Sequence, residues 1–193
     1  MRPIFSIHAG EYLVGTHIEE NYKKLNVWIP AKDMGIDLLV TDHANKKTLS
    51  IQVKFSKDFL GSLGNSTSET VATHVKSGGW WTFKQSKMQS SMADLWILVL
   101  YRFTQRDYDF IIIEPQELLN RYQKLGRNKE TIHSYVWVTS SKRCWETRGL
   151  NRQQQDAIAL DEFTDTDRDL TGYLNNWAVI EQKLHCSSAK GET

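Results

Sequence analysis

Residues 35–54 read GIDLLVTDHANKKTLSIQVK, two runs of alternating apolar residues around a polar turn. Successive side chains of an extended strand point to opposite faces. Ile36, Leu38 and Val40 therefore share one face and Asp37 lies on the other. In the second run Leu49, Ile51 and Val53 oppose Ser50, Gln52 and Lys54. Asp37 and Gln52 are equidistant from the junction of Ala44 and Asn45, so a turn centred there sets them across from each other. The spacing predicts a β-hairpin with an acid, an amide oxygen and a lysine on one small patch. Such a patch suits a divalent cation held beside a phosphate. Any hairpin with a solvated face alternates in the same way, so the patch gains its weight from the segment before it.

That segment, residues 10–25, reads GEYLVGTHIEENYKKL. Val14, Ile18, Tyr22 and Leu25 recur at helical spacing and form one stripe facing a core. Glu11 falls on the same stripe. A carboxylate in the first turn of a helix is favoured by the helix dipole. One aimed inward at a sheet also wants a cation, because burying an unpaired charge is costly.

The order Glu, then Asp, then Gln-Val-Lys resembles the PD-(D/E)XK nuclease superfamily. The likeness is carried by GEYLV on the helix, WIP leading into the hairpin, GIDLLV on its first strand and IQVK on its second. It covers residues 8–56 specifically and continues loosely to Pro115 as alternating apolar strands. The resemblance implies a restriction-endonuclease-like α/β fold, a mixed central β-sheet flanked by helices. It also implies a metal-dependent phosphodiesterase acting on DNA, with Glu11, Asp37, Gln52 and Lys54 at its active site. Two positions depart from the motif: Ile36 precedes the Asp, with Pro30 displaced upstream, and Gln52 stands where the second acid belongs.

Elementary chemistry leads to the same residues. Phosphodiester hydrolysis is slow enough that an enzyme must supply about 20 kcal/mol in the most demanding cases. A hard cation polarises the phosphoryl oxygen and lowers the pKa of bound water. Mg²⁺, or Mn²⁺ in its place, takes oxygen ligands, usually one or two carboxylates with waters and substrate phosphate. Asp37 is the expected principal ligand and the side-chain oxygen of Gln52 a neutral one. Glu11 binds directly or through water, and the backbone carbonyl of Val53 completes the set. Lys54 has no acceptor and suits a phosphate or nucleophile partner.

At 193 residues the chain is long enough for one ordinary core with additions. A single nuclease-like domain spanning 1–193 is expected, with a core over 8–140 and a helical, basic extension over 141–185. The net charge is only +1, so distribution matters more than bulk charge. Residues 75–87 contain Lys76, Lys84 and Lys87 and no acid. Residues 121–129 contain Arg121, Lys124, Arg127 and Lys129 and again no acid. Lys142, Arg143, Arg148 and Arg152 are opposed only by Glu146. Lys76, Lys84, Lys142, Arg143, Arg148 and Arg152 are the candidate DNA contacts. Trp80 and Trp81 are candidates for stacking on bases, although core packing is the commoner fate of a tryptophan.

The two cysteines form no CxxC pair and the histidines no HxH or HxxxH, so a disulfide framework and a zinc site are not indicated. No Walker loop or GxSxG motif occurs. The longest strong apolar run, 95–101, is too short to span a bilayer and no signal segment is evident, so the expectation is a cytoplasmic protein without a membrane partner.

Residues 60–79 are rich in Gly, Ser and Thr and are expected to form a long loop with room for a short ordered piece. Residues 95–101 and 108–113 are expected as central strands, 115–122 as a helix opened by proline, and 133–139 as a further strand. Leu170, Leu174, Trp177 and Ile180 have helical spacing within 169–184, and the tail beyond is polar. The function most consistent with these features is a DNA endonuclease of restriction or defence type. Two alternatives stay open: a non-catalytic nucleic-acid-binding protein that keeps the fold, and a nuclease of RNA or of branched or damaged DNA. Symmetric duplex cutting would suit a homodimer.

Overall fold

The computed structural model describes residues 8–32, 34–60, 68–103 and 105–186. Helix α1 spans Ala9–Asn21, and Glu11 closes its first turn by accepting the His8 N–H at 3.0 Å. Glu11, Val14 and Ile18 are buried on the inward stripe, while Tyr22 and Leu25 pack half-buried against the same core. The helix is shorter than its periodicity predicts, because Leu25 already begins strand β1, Leu25–Trp28.

The hairpin forms from β2, Leu38–Asp42, and β3, Thr48–Lys57. Its register pairs Leu38 with Ile51 and Val40 with Leu49, which centres the turn where the alternation placed it. Asn45 adopts φ +54 there, and Asp42 accepts the backbone N–H groups of Lys46 at 2.7 Å and Lys47 at 3.2 Å. Those donors, Lys47 foremost, hold the Asp42 carboxyl below its ordinary range.

These strands belong to a mixed five-stranded sheet of order β1-β2-β3-β5-β6. Strand β5, Leu95–Arg102, runs parallel to β3, and β6, Asp107–Ile113, runs antiparallel to β5. Strand β5 is covered on both faces, which explains its unbroken apolar run. Strand β6 is an edge strand rather than a central one. Helix α1 and α6, Ala178–Cys186, cover one face, where Val14, Ile18, Ile180 and Leu184 meet Leu38, Val40, Ile51 and Ile97.

The opposite face carries more than the expected helix. A second, antiparallel sheet of order β4-β7-β8 covers it, with β4 at Val75–Lys84, β7 at Thr131–Thr139 and β8 at Cys144–Glu146. Trp81, Phe83, Val136 and Val138 pack there with Leu98 and Leu100, joined by α4, Pro115–Lys124. The short helices α2, Glu69–His74, α3, Gln85–Gln89, and α5, Arg152–Ala159, are peripheral.

The expected loop over 60–79 is therefore partly wrong: α2 and the first half of β4 lie within it, and residues 61–67 lie outside the described residues. Gly78 and Gly79 read as loop residues, yet Gly79 is where β4 presses on the central sheet. A Cβ there would collide with the side chains of Leu100 and Trp81. Gly79→Ala is expected to destabilise the fold by about 1–3 kcal/mol through overpacking. A urea midpoint unchanged by the substitution would show that β4 is free to lift away.

The helical spacing over 169–184 also resolves into two pieces, a 3₁₀ turn at Thr171–Tyr173 and α6. Leu170 enters the core between the sheets, whereas Trp177 packs on the α1 side. There the His17 ring stacks on Trp177 with centroids 4.3 Å apart. Burial lowers the pKa of His17, opposed in part by Glu20. Unfolded imidazole titrates near ~6.5, so as pH falls through that value the unfolded chain takes up this proton first. Stability linked to His17 is thus complete above that pH and is lost as pH falls through the lowered folded value. His17→Phe keeps a ring on Trp177, and wild type is expected to lose stability relative to it as pH falls below about 6.5. Parallel pH curves of unfolding free energy for the two proteins would contradict this.

Among the described residues, no helix is long and apolar enough to cross a membrane.

Candidate functional site

The site forms where β2 begins beside the middle of β3. Asp37 lies one residue before β2 and its paired register begin, beside the 51–53 stretch of β3. Asp37 is fixed at both its backbone and its side chain. Its N–H donates to the Ile51 carbonyl at 2.8 Å, and its Oδ2 accepts the Val53 N–H at 2.6 Å. The N–H and C=O of one strand residue point to the same edge, so the Val53 carbonyl also lies along the edge that Asp37 flanks. Gly35, at φ +82, turns the chain into β2 close to Gln52, whose Nε2 is 3.8 Å from where a Cβ would stand.

Gln52 and Lys54 alternate with Ile51 and Val53, and so face away from α1. Lys54 Nζ lies 5.5 Å from the centre of the Trp96 ring. Behind it, Trp81 Nε1 donates to the Lys54 carbonyl at 3.3 Å and braces this part of β3. Gln52 and Lys54 open into a cavity of about 680 Å³ between the central sheet and β4, shared with Gly35, Thr82, Lys84, Lys87, Ser91 and Trp96. Three lysines enter this lining, and its described residues include no carboxylate. The cavity therefore suits an anionic ligand.

Glu11 approaches from the α1 side of the sheet. Gly10, its neighbour, stands against β3: a Cβ there would come within 3.1 Å of the side chains of both Val53 and Phe55. Glu11 is 9% exposed, and one of its oxygens is engaged by the His8 N–H. Among the described residues no three His, Cys, Asp or Glu side chains gather as a metal-binding group. The oxygen donors proposed for a cation are the Asp37 carboxylate and the Val53 carbonyl at this edge, the Gln52 amide oxygen on the cavity face and the Glu11 carboxylate on the α1 side. All are hard oxygens, which fits Mg²⁺ or Mn²⁺ and does not fit a thiophilic ion.

The remaining candidates separate clearly. Lys84 lines the cavity, with its Nζ donating to Thr131 Oγ1 at 2.6 Å. Lys76 lies instead 3.9 and 3.8 Å from Asp107 and Asp109. Trp80 is 48% exposed, but Trp81 is 6% exposed and belongs to the core between the sheets. Trp81 is accordingly corrected from a base-stacking candidate to a packing residue, since it could reach a base only by leaving that core. Arg143 stacks at 4.6 Å on Trp145 and bonds Asp169 at 3.3 Å, while Lys142, Arg148 and Arg152 are exposed.

The run 121–129 is mostly an internal network. Arg127 chelates the buried Glu146 at 2.6 and 2.5 Å with Arg168 at 3.1 Å, Arg121 bonds Glu117, and Lys124 bonds Asp167. The lining residues that the sequence did not mark as candidates include Lys87, Thr82, Ser91 and Trp96. Only Lys87 carried a signal, as part of the acid-free stretch 75–87. Thr82 arrives through β4, Ser91 through the turn after α3 and Trp96 through β5, meetings that no local pattern announces.

Comparison of the chain with protein-family profiles, curated proteins and solved structures finds no match.

Proposed function

We propose that this mixed α/β protein is a metal-dependent nuclease that hydrolyses phosphodiester bonds in DNA on a restriction-endonuclease-like framework. The observation that carries the reading is the Asp37 carboxylate bonded to the Val53 N–H, between Gln52 and Lys54, which line a cavity with three lysines and no described carboxylate. Asp37, Gln52, the Val53 carbonyl and Glu11 would hold the cation. When bound, it supplies polarisation of the phosphoryl oxygen and a more acidic water. Lys54 stabilises negative charge as it grows on the phosphate, while Lys84 and Lys87 position the strand.

A second reading has its own support. With Gln52 neutral and no three-residue acid, His or Cys group among the described residues, the chain would bind nucleic acid without cutting it. Plasmid and single-stranded DNA incubated with Mg²⁺, Mn²⁺ or EDTA separate the two. Nicking that needs the metal supports the nuclease. A gel shift without cleavage under every condition supports the binding protein.

A further inference from the structure

We infer that the cleft beside Trp80 seats one unpaired nucleobase, so that the strand delivered to the Lys54 cavity is single-stranded or has a base turned out of its stack. This rests on the nuclease reading of the neighbouring cavity and adds the form of the substrate. The cleft measures about 360 Å³, and its walls include Phe59, Trp80 and Tyr135, with Arg148 and Gln155.

A single exposed aromatic residue is ordinary, but this one is part of a built slot. Trp80 meets Phe59 edge-on, with centroids 5.9 Å apart and planes at 72°, and still keeps nearly half its surface open. Arg148 has its backbone pinned, because its carbonyl accepts from Arg127 at 2.9 Å and Arg168 at 3.1 Å, both clamped on the buried Glu146. Its guanidinium has no carboxylate partner among the described residues. Gln155 donates its amide nitrogen to the Leu150 carbonyl at 3.0 Å, which fixes the side chain and leaves its oxygen as an acceptor. Aromatic walls, one cation on a pinned backbone and one held amide match a planar heterocycle with polar edges.

The position of the cleft selects a base on a strand over a free small molecule. Trp80, Thr82 and Lys84 are exposed on the outward face of β4, alternating with buried Trp81 and Phe83. Thr82 and Lys84 line the Lys54 cavity. The rise of a strand puts Trp80 about 7 Å from Thr82, of the order of one nucleotide repeat, and about 13 Å from Lys84. A base seated at Trp80 is therefore joined to a strand whose phosphates come within reach of Lys84. A base inside a duplex is stacked on both faces and enters such a slot only after extrusion.

The test uses the full chain, in EDTA and in Ca²⁺, with an oligonucleotide carrying 2-aminopurine as a single strand or in a duplex. The single strand is expected to bind severalfold tighter than the duplex, with quenching of the 2-aminopurine as it stacks. Trp80→Ala should lower single-strand affinity by about 5- to 100-fold and remove the quenching, and Trp80→Phe should restore most of both. A ribo-oligonucleotide that gives the same quenching supports the seat, because ring stacking does not depend on the sugar. Equal affinity for strand and duplex, or quenching that survives Trp80→Ala, overturns the inference. Cleavage without Trp80 dependence leaves the nuclease reading standing alone. Trp80-dependent quenching in a protein that cuts with no metal leaves the base seat standing alone.

Discussion

Asp37→Asn is expected to abolish metal-dependent cleavage, with a loss on the order of 10³-fold or more, while DNA binding without metal survives. The size follows from removing the principal charged oxygen from the proposed cation site, where several kcal/mol of charge stabilisation is at stake. Asn is the informative choice because the Asp37 carboxylate has a second duty: it accepts the Val53 N–H at 2.6 Å. An amide oxygen can keep that bond, so the local strand geometry persists while the charge goes. Asp37→Ala would strip both. It should cost about 1–3 kcal/mol of stability by leaving the Val53 N–H without its partner, in addition to cleavage. Cleavage rates beside urea unfolding curves for the two variants separate the effects. Cleavage by Asp37→Asn at the wild-type rate would place the chemistry elsewhere, and a loss of stability equal to that of Asp37→Ala would mean that the amide does not hold the Val53 bond.

The same residue shows what could be read before any coordinates. Facing in the hairpin depends only on alternation, and its register only on the centre of the turn. Both are local, and the pairing of Leu38 with Ile51 follows from them. The inward stripe of α1 is local in the same sense. The second sheet is not. Its β4 contains Gly78 and Gly79, poor strand formers chosen because the Leu100 and Trp81 side chains leave no room for a Cβ at Gly79. That requirement is set by a strand elsewhere in the sequence. Charge behaves alike. Arg121, Arg127 and Arg143 read as basic patches, but Glu117, Glu146 and Asp169 neutralise them, the last two from 19 and 26 residues away. The cavity is long-range as well: β3 supplies Gln52 and Lys54, β4 supplies Thr82 and Lys84, α3 and the segment after it supply Lys87 and Ser91, and β5 supplies Trp96.

Lys54→Met is expected to lower turnover by about 10²–10³-fold while changing DNA affinity little, the pattern of a group that acts mainly on charge developing in the transition state. Met preserves the aliphatic stem beside Trp96, whose ring centre lies 5.5 Å from Lys54 Nζ, so packing is largely kept and the ammonium alone is removed. Lys84→Met and Lys87→Met provide the contrast. Both lysines line the same cavity but belong to β4 and α3, away from the edge shared by Asp37, Gln52 and Val53. Their loss should weaken binding across sequences and reduce the salt slope by about one each, with turnover at saturating DNA much less affected. Affinities measured in Ca²⁺ across a salt series, beside single-turnover rates in Mg²⁺, distinguish the two kinds of lysine. If Lys54→Met shifts the salt slope and spares the rate, Lys54 is a third positioning lysine. The charge that stabilises the transition state must then come from the cation alone, held by Asp37 with Gln52 as its neutral partner.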